Sequence, residues 1–277
     1  MVFASFQRTI LGRYLIYNLI DLKTGEKKFY GFADNPTGLV KMPPSHFSFK
    51  ETEKKTKPNS SVFNLSWEGS LFKKEKKEYH TLLTNPEFSL QLELAPVQPP
   101  MHVLGTGLTG LTKPESLHYY AYPKLNAYGK LNMDSSERII CGEFWHEHIW
   151  GGIWPPKLVK WTWWSLQLET GETMTISLIK NRSNKILQNY ISLQDTSGRI
   201  MVFDTLEFEI LKNWVSEKSF INYPVKWKIK IPQWEHDLFI SPLFYDSEIP
   251  VPGTKFLWEG PCAVEAVNHR TGKIVIG

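Results

Sequence analysis

A chain of 277 residues, 42% of them hydrophobic and 22% charged, has the make-up of a folded globular protein and is long enough for two domains or one large β or α/β unit. A net charge of +4, gathered in lysine-rich patches near the start, is too small for nucleic-acid binding without a recognisable module, and no apolar run reaches the roughly 18 residues of a membrane helix. Segment 1–20 carries Arg8 and Arg13 within its apolar run and reads as neither signal peptide nor anchor, while Cys141 and Cys262 predict two buried thiols in a reducing, cytoplasmic compartment.

The first predicted strand is the β-branched and aromatic run at 14–20, followed by the turn Lys23-Thr24-Gly25-Glu26. The Lys/Glu-rich stretches 50–61 and 73–78 read as solvated hairpin tips on either side of a strand at 61–67. Ser89 to Leu94 alternates leucine with polar residues, the pattern of a half-buried strand. The stretch 96–114, with four prolines and three glycines, predicts a long crossover. Within it, Gly105-Thr106-Gly107-Leu108-Thr109-Gly110 matches G-x-G-x-x-G, but Pro99-Pro100 before it and Lys113-Pro114 after it leave no helix to hold a pyrophosphate. A domain boundary is expected in 130–138, dividing the chain into 1–133 and 134–277.

His146-Glu147-His148 on a strand would point both imidazoles to one face and the carboxyl to the other. Two histidines without a third ligand do not make a metal site, and neither metal nor cofactor is expected. In 161–168, Thr162, Trp164, Leu166 and Leu168 share one face, and Trp161, Trp163, Ser165 and Gln167 the other. The second face suits either a cavity wall or a second core layer. Further strands are predicted at 173–179, 186–193, 199–210, 225–231, 237–245 and 262–267; in 225–231, Val, Trp and two Ile alternate strictly with three Lys. Glu169-Thr170-Gly171-Glu172, Asp195-Thr196-Ser197-Gly198 and Arg270-Thr271-Gly272-Lys273 supply turns, and the recurring strand–TG–strand unit hints at duplication. No window carries a helical period, so the fold class is all-β and antiparallel. Ten of the eleven tryptophans fall between Trp145 and Trp258, a density suited to lining an apolar cavity. No G-x-S-x-G nucleophile motif is present.

The ordered series Tyr119-Tyr120-Ala121-Tyr122-Pro123-Lys124-Leu125, Gly129-Lys130-Leu131, Gly142-Glu143-Phe144-Trp145, the His-rich segment, the 161–168 strand, Tyr223-Pro224 with Trp227 to Pro232, and Trp258-Glu259-Gly260 resembles the AttH-like lipocalin family. That family includes carotenoid 1,2-hydratase (hydroxyneurosporene synthase) and the lipocalin-like Diels–Alderases. The resemblance implies two lipocalin-like antiparallel β-barrel domains in tandem, with an apolar pocket at or between them. It also implies catalytic roles for Glu147 and His148, the histidine orienting the acid or handling water, and substrate contacts from Tyr120, Tyr122, Trp145, Trp161, Trp163 and Trp258. The family's second carboxylate is replaced by Ile149, and the Asp that some hydratases carry between the two tryptophans of the W-x-W strand is Thr162.

Three activities are compatible with these residues. The first is a cofactor-independent cyclase of Diels–Alderase type, folding an apolar polyene or isoprenoid in an aromatic pocket through proximity and orientation. The second is a hydratase or acid-initiated cyclase that protonates a C=C bond from Glu147. The third is a non-catalytic binder of a hydrophobic ligand.

Overall fold

The computed structural model describes residues 1–9, 12–34, 47–48, 64–110, 117–151, 160–251 and 256–277; the expected hairpin tip at 50–61 lies outside them. Strands β1 (Val2–Thr9), β2 (Gly12–Ile20), β3 (Lys27–Asp34) and the short β4 (Phe47–Ser48) form a first sheet in that order. A second sheet gathers β5 (Asn64–Trp67), β6 (Ser70–Glu75), β7 (Glu78–Thr84), β8 (Phe88–Pro96), β9 (Met101–His102), β10 (Leu108–Thr109), β11 (Leu117–Met133) and β12 (Ser136–Gly151). β13 (Lys160–Gln167), β14 (Thr173–Lys180), β15 (Ile186–Gln194) and β16 (Ile200–Phe203) make a third. β17 (Glu207–Val215), β18 (Asn222–Ile231) and β19 (His236–Pro242) begin a fourth, the hairpin of β20 (Glu248–Pro250) and β21 (Phe256–Trp258) stands apart, and β22 (Cys262–Asn268) and β23 (Ile274–Ile276) complete the fourth. All pairings but β3 with β4 are antiparallel. No helix among the described residues is long and apolar enough to cross a membrane.

Alternation decides which face each strand buries. In β8, Phe88, Leu90, Leu92 and Leu94 are buried between more open Ser89, Gln91 and Glu93. Each such side chain contributes about 2 kcal/mol of transfer free energy. These leucines meet Leu15, Tyr17 and Phe32 of the first sheet and Phe72 and Tyr79 of the second in one core. A second core joins the third sheet (Trp164, Met174, Ile176, Leu178, Ile191) to the fourth (Trp227, Ile229, Leu238, Ile240, Val264). The strand expected over 199–210 is two: the chain leaves the third sheet after Phe203 and enters the fourth at Glu207, with Phe203 and Leu206 both held in that core. Each pair of sheets thus wraps one lipocalin-like core, although strand pairing closes no ring among the described residues. The third and fourth sheets come nearest to it where the Glu169 N–H donates to the Ile276 carbonyl at 2.9 Å. Cys141, expected to be buried, is exposed on β12, most of whose residues stay intermediate or exposed.

The expected boundary at 133/134 falls at the tip of the β11–β12 hairpin, where Asp134 and Ser135 take positive φ. Pairing continues from Met133↔Ser136 out to Leu117↔Gly151, so β12 stays with the second sheet. By strand pairing, residues up to 151 form one pair of sheets and those from 160 onward the other, except the β20–β21 hairpin, whose Ile249 packs with Ile16 of the first sheet. The glycine-rich segment makes a turn between β9 and β10, with Gly105 and Gly107 both at φ +73, and its residues 108–109 are the strand β10. It is tied to the third sheet by the Leu104 N–H, which donates to Ser192 Oγ at 2.8 Å.

The β11–β12 ladder is interrupted partway along its length. Tyr122 pairs with His146 but Leu125 pairs with Phe144, so Pro123 and Lys124 together oppose Trp145 in a bulge. A bulge breaks the ladder locally, which a proline without an N–H tolerates. It also reverses the faces of β11. Beyond it, Leu125, Ala127 and Leu131 point into the first core; before it, Tyr122 does so, and Tyr119 packs instead with Tyr190 of the third sheet.

A candidate active site between the sheet pairs

The third sheet is buried on both faces. The even residues of β14 (Met174, Ile176, Leu178) fill the second core, yet Thr173, Thr175 and Ser177 on the opposite face are buried as well. What covers them is the outer face of the β11–β12 hairpin. Glu147 of β12 accepts from Thr175 Oγ1 at 3.3 Å and from the Trp145 indole at 2.8 Å. The Trp163 indole donates to the Tyr119 hydroxyl at 2.9 Å, and the Trp161 indole to Ser177 Oγ at 2.9 Å. Gln167 clamps the bulge by donating to the Pro123 carbonyl at 2.6 Å. Three indoles therefore turn their N–H groups onto fixed oxygens; Trp145 and Trp163 are held beside the carboxyl, and Trp161, 44% exposed, is held at Ser177.

That carboxyl has an unusual electrostatic setting. Desolvation pushes Glu147 up to about 7, only partly offset by the polar groups of Tyr119, Trp145, Thr175 and Trp163. The residue as a whole keeps some accessible surface, while protein surrounds the carboxyl itself. Glu259, on the turn after β21, is raised to about 8 by burial and then by the charge of Glu147. Among the described residues no cation pairs with either acid. A negative charge on Glu147 therefore helps to keep the proton on Glu259. Burial, then Glu259, lifts the Cys262 thiol to about 12. Burial first and Glu147 second push the Tyr119 hydroxyl well above its usual value. Near neutral pH the site holds protonated acid beside indole faces, an arrangement able to deliver a proton to an apolar acceptor and to stabilise the cation that forms.

Of the residues expected from the sequence, Trp161 is bonded to Ser177 and is 44% exposed, while Glu147, Trp145 and Trp163 come together here. His148, Tyr120 and Tyr122 do not: neighbours along a strand point to opposite faces, so His148 sits across from Tyr120 on the far side of the hairpin. His148 and the Glu147 carboxyl therefore stand on opposite faces of β12. His146 lies on that far face too, buried against Phe72 and Tyr79, and burial, then His148 and Lys74, lowers it to about 3. Trp258 spends its indole N–H on the Tyr245 carbonyl at 2.7 Å, and its neighbour Glu259 feels the charge of Glu147. Glu259, Tyr119 and Thr175 escaped the sequence reading. Glu259 had a signal in Trp258-Glu259-Gly260, and Thr175 in the polar alternation Thr173, Thr175, Ser177 along an otherwise apolar strand. Ile149 packs with Val103, Tyr119 and Tyr190. Among the described residues, no group of three or more His, Cys, Asp or Glu is placed to hold a metal.

The AttH-like family matches residues 45–274. Two solved structures share the fold. An AttH-type protein from Nitrosomonas europaea is 20% identical with a TM-score of 0.75, over 98% of this chain and 81% of that one. Kievitone hydratase from Nectria haematococca is 17% identical with a TM-score of 0.79, over 100% of this chain and 81% of that one. The sequence matches no curated protein.

Proposed function

The chain belongs to the AttH-like family, and we propose that it is an acid catalyst that protonates a C=C bond of an apolar polyene or isoprenoid, leading to hydration or to cyclisation. The observation that carries this reading is the Glu147 carboxyl, desolvated to about 7 and held by the Trp145 indole beside Trp163. A pericyclic cyclase needs only a shaped aromatic wall. Two uncharged carboxyls buried beside that wall are costly and have no task in such a reaction, so they favour acid chemistry over the pericyclic alternative. The shared fold with an enzyme named a hydratase is in keeping with this.

Glu147 gives its proton to one alkene carbon, and the positive charge left on the other is stabilised by the indole faces, each worth about 2 kcal/mol or more when desolvated. In hydration a water adds to the cation and its surplus proton returns to the Glu147 carboxylate, so the net change is addition of one water. In cyclisation a second C=C of the same chain attacks the cation, and loss of a proton to the carboxylate regenerates the acid. The test is turnover of polyenes, isoprenoids and kievitone in deuterated, oxygen-18 water. Hydration gives a product with one labelled oxygen and one new C–D bond. Acid-initiated cyclisation gives an isomer with the C–D bond alone. An unlabelled isomer would refute the proposal in favour of a pericyclic reaction, and binding of the whole panel without turnover would refute it in favour of a carrier.

A further inference from the structure

Where the crossover after β8 reaches the third sheet, buried side-chain oxygens gather without partners. Thr173 and Gln194 stand directly opposite each other on β14 and β15, so their side chains share a face, with Cβ atoms about 5 Å apart. That face is the buried polar side of the sheet, and the two residues are 1% and 0% exposed. The segment of Gln98 and Pro99 crosses over them: Gln194 Nε2 donates to the Pro99 carbonyl at 3.2 Å, and Gln98 Nε2 to the Gly171 carbonyl at 3.2 Å. The neighbouring turns are pressed close, since a Cβ on Gly198 would lie 2.7 Å from Pro99 Cγ and one on Gly171 2.9 Å from Thr196 Cγ2. Both amides thus spend their N–H groups on carbonyls. Among the described residues, Gln98 Oε1, Thr173 Oγ1 and Gln194 Oε1 have no hydrogen-bond partner, and neither has Oε2 of Glu172, at the turn just before β14.

Burying one unsatisfied oxygen is costly, and native proteins seldom gather several. All four are acceptors, so what meets them is a donor or a positive charge. We infer that this end of the third sheet is a site for a monovalent cation, sodium or potassium. Hard cations take oxygen ligands of these kinds, amide oxygens, hydroxyls and carboxylates, in place of water. Glu172 brings a single negative charge, and among the described residues no lysine or arginine pairs with it. Asp195 of the neighbouring turn is already paired with Arg199 at 3.2 Å. One negative charge balances a monovalent ion, whereas a divalent ion would keep an uncompensated charge in a desolvated place. The ion ties the crossover at 97–99 to the third sheet beside Gln167, the partner of Thr173 that also clamps the bulge at Pro123. The inference is read in stability alone and does not rest on the chemistry at Glu147.

The test is urea unfolding of the full chain at fixed ionic strength in potassium, sodium or tetramethylammonium chloride, the last a cation too large for these oxygens to surround. One alkali ion should lower the unfolding equilibrium constant along a saturable curve, by about tenfold at about ten times its dissociation constant, while tetramethylammonium does not. Thr173→Val deletes an oxygen but no hydrogen bond that its side chain makes within the protein. In tetramethylammonium it should be at least as stable as the wild type, because a methyl replaces an unpaired buried hydroxyl. In the alkali salt it should lose most of the ion's effect, a pattern that a purely structural threonine would not give. Gln98→Met, on the crossover, should lose it as well and keeps the test open if Thr173→Val fails to fold. Equal stability in the three salts would mean buried water only and would overturn the inference. So would an alkali effect undiminished in both variants, or a saturable response to calcium or magnesium with none to either alkali ion.

Discussion

Replacing Glu147 with Gln keeps the size of the side chain and the oxygen that accepts from Trp145 and Thr175, but removes the dissociable proton. Burial lifts the native carboxyl from 4.5 to about 7. Between those values the unfolded chain has released this proton and the folded chain has kept it. The folded state binds more protons, so stability falls as pH rises through that window. Below it both states are protonated and Glu147 has no effect. Above it the full penalty applies, on the order of 3 kcal/mol at about 1.4 kcal/mol per pH unit. The Gln variant carries no such penalty. It should match the wild type in urea unfolding near pH 4 and exceed it by up to about 3 kcal/mol near pH 8. Burial of Glu259 gives both chains a decline of the same sign, lessened in the Gln variant by the loss of the Glu147 charge. Activity should move the other way, with a loss of about 100-fold or more for the missing general acid. The wild-type rate should be flat below about pH 7 and fall about tenfold per unit above it, following the protonated fraction. Parallel stability profiles, or a variant less stable than the wild type near pH 8, would refute the desolvation argument. Retention of more than about a tenth of the activity would refute the acid role.

Trp163→Ala should cut turnover at least about tenfold by opening the wall and freeing Tyr119, while Trp163→Phe, which keeps a ring but not the indole donor, should fall between it and the wild type in kcat. Gly129→Ala places a Cβ 1.9 Å from the backbone oxygen of Gln91, so the β8–β11 ladder must part; equilibrium unfolding should register a loss of about 3 kcal/mol or more. Near neutral pH, iodoacetamide should label exposed Cys141 and spare Cys262, whose thiol burial holds at about 12; mass spectrometry of the native protein should find one adduct.

Much of the fold could be read from period-two alternation, because a strand with one wet face writes its burial into its sequence. Val225, Trp227, Ile229 and Ile231 lie buried where the pattern places them, and the TG turns sit between β2 and β3, β13 and β14, and β22 and β23. The two longest strands carried a weaker signal. β11 contains Pro123 and Gly129, and its buried positions serve two different cores on either side of the bulge. β12 is only intermediate or exposed along most of its length.

The sequence by itself determined the strand faces: that Glu147 opposes His146 and His148, and that Trp161 and Trp163 share a side. Those are local facts, set by the geometry of a single extended chain. Which faces meet was decided only by the tertiary structure. The bulge turns Tyr119 outward, the hairpin lies on the buried polar side of the third sheet, and Glu259 arrives from a turn more than 100 residues away in sequence. The proton on Glu147 belongs to this second level, because desolvation is a property of everything packed around a carboxyl and no spacing of residues along the chain encodes it.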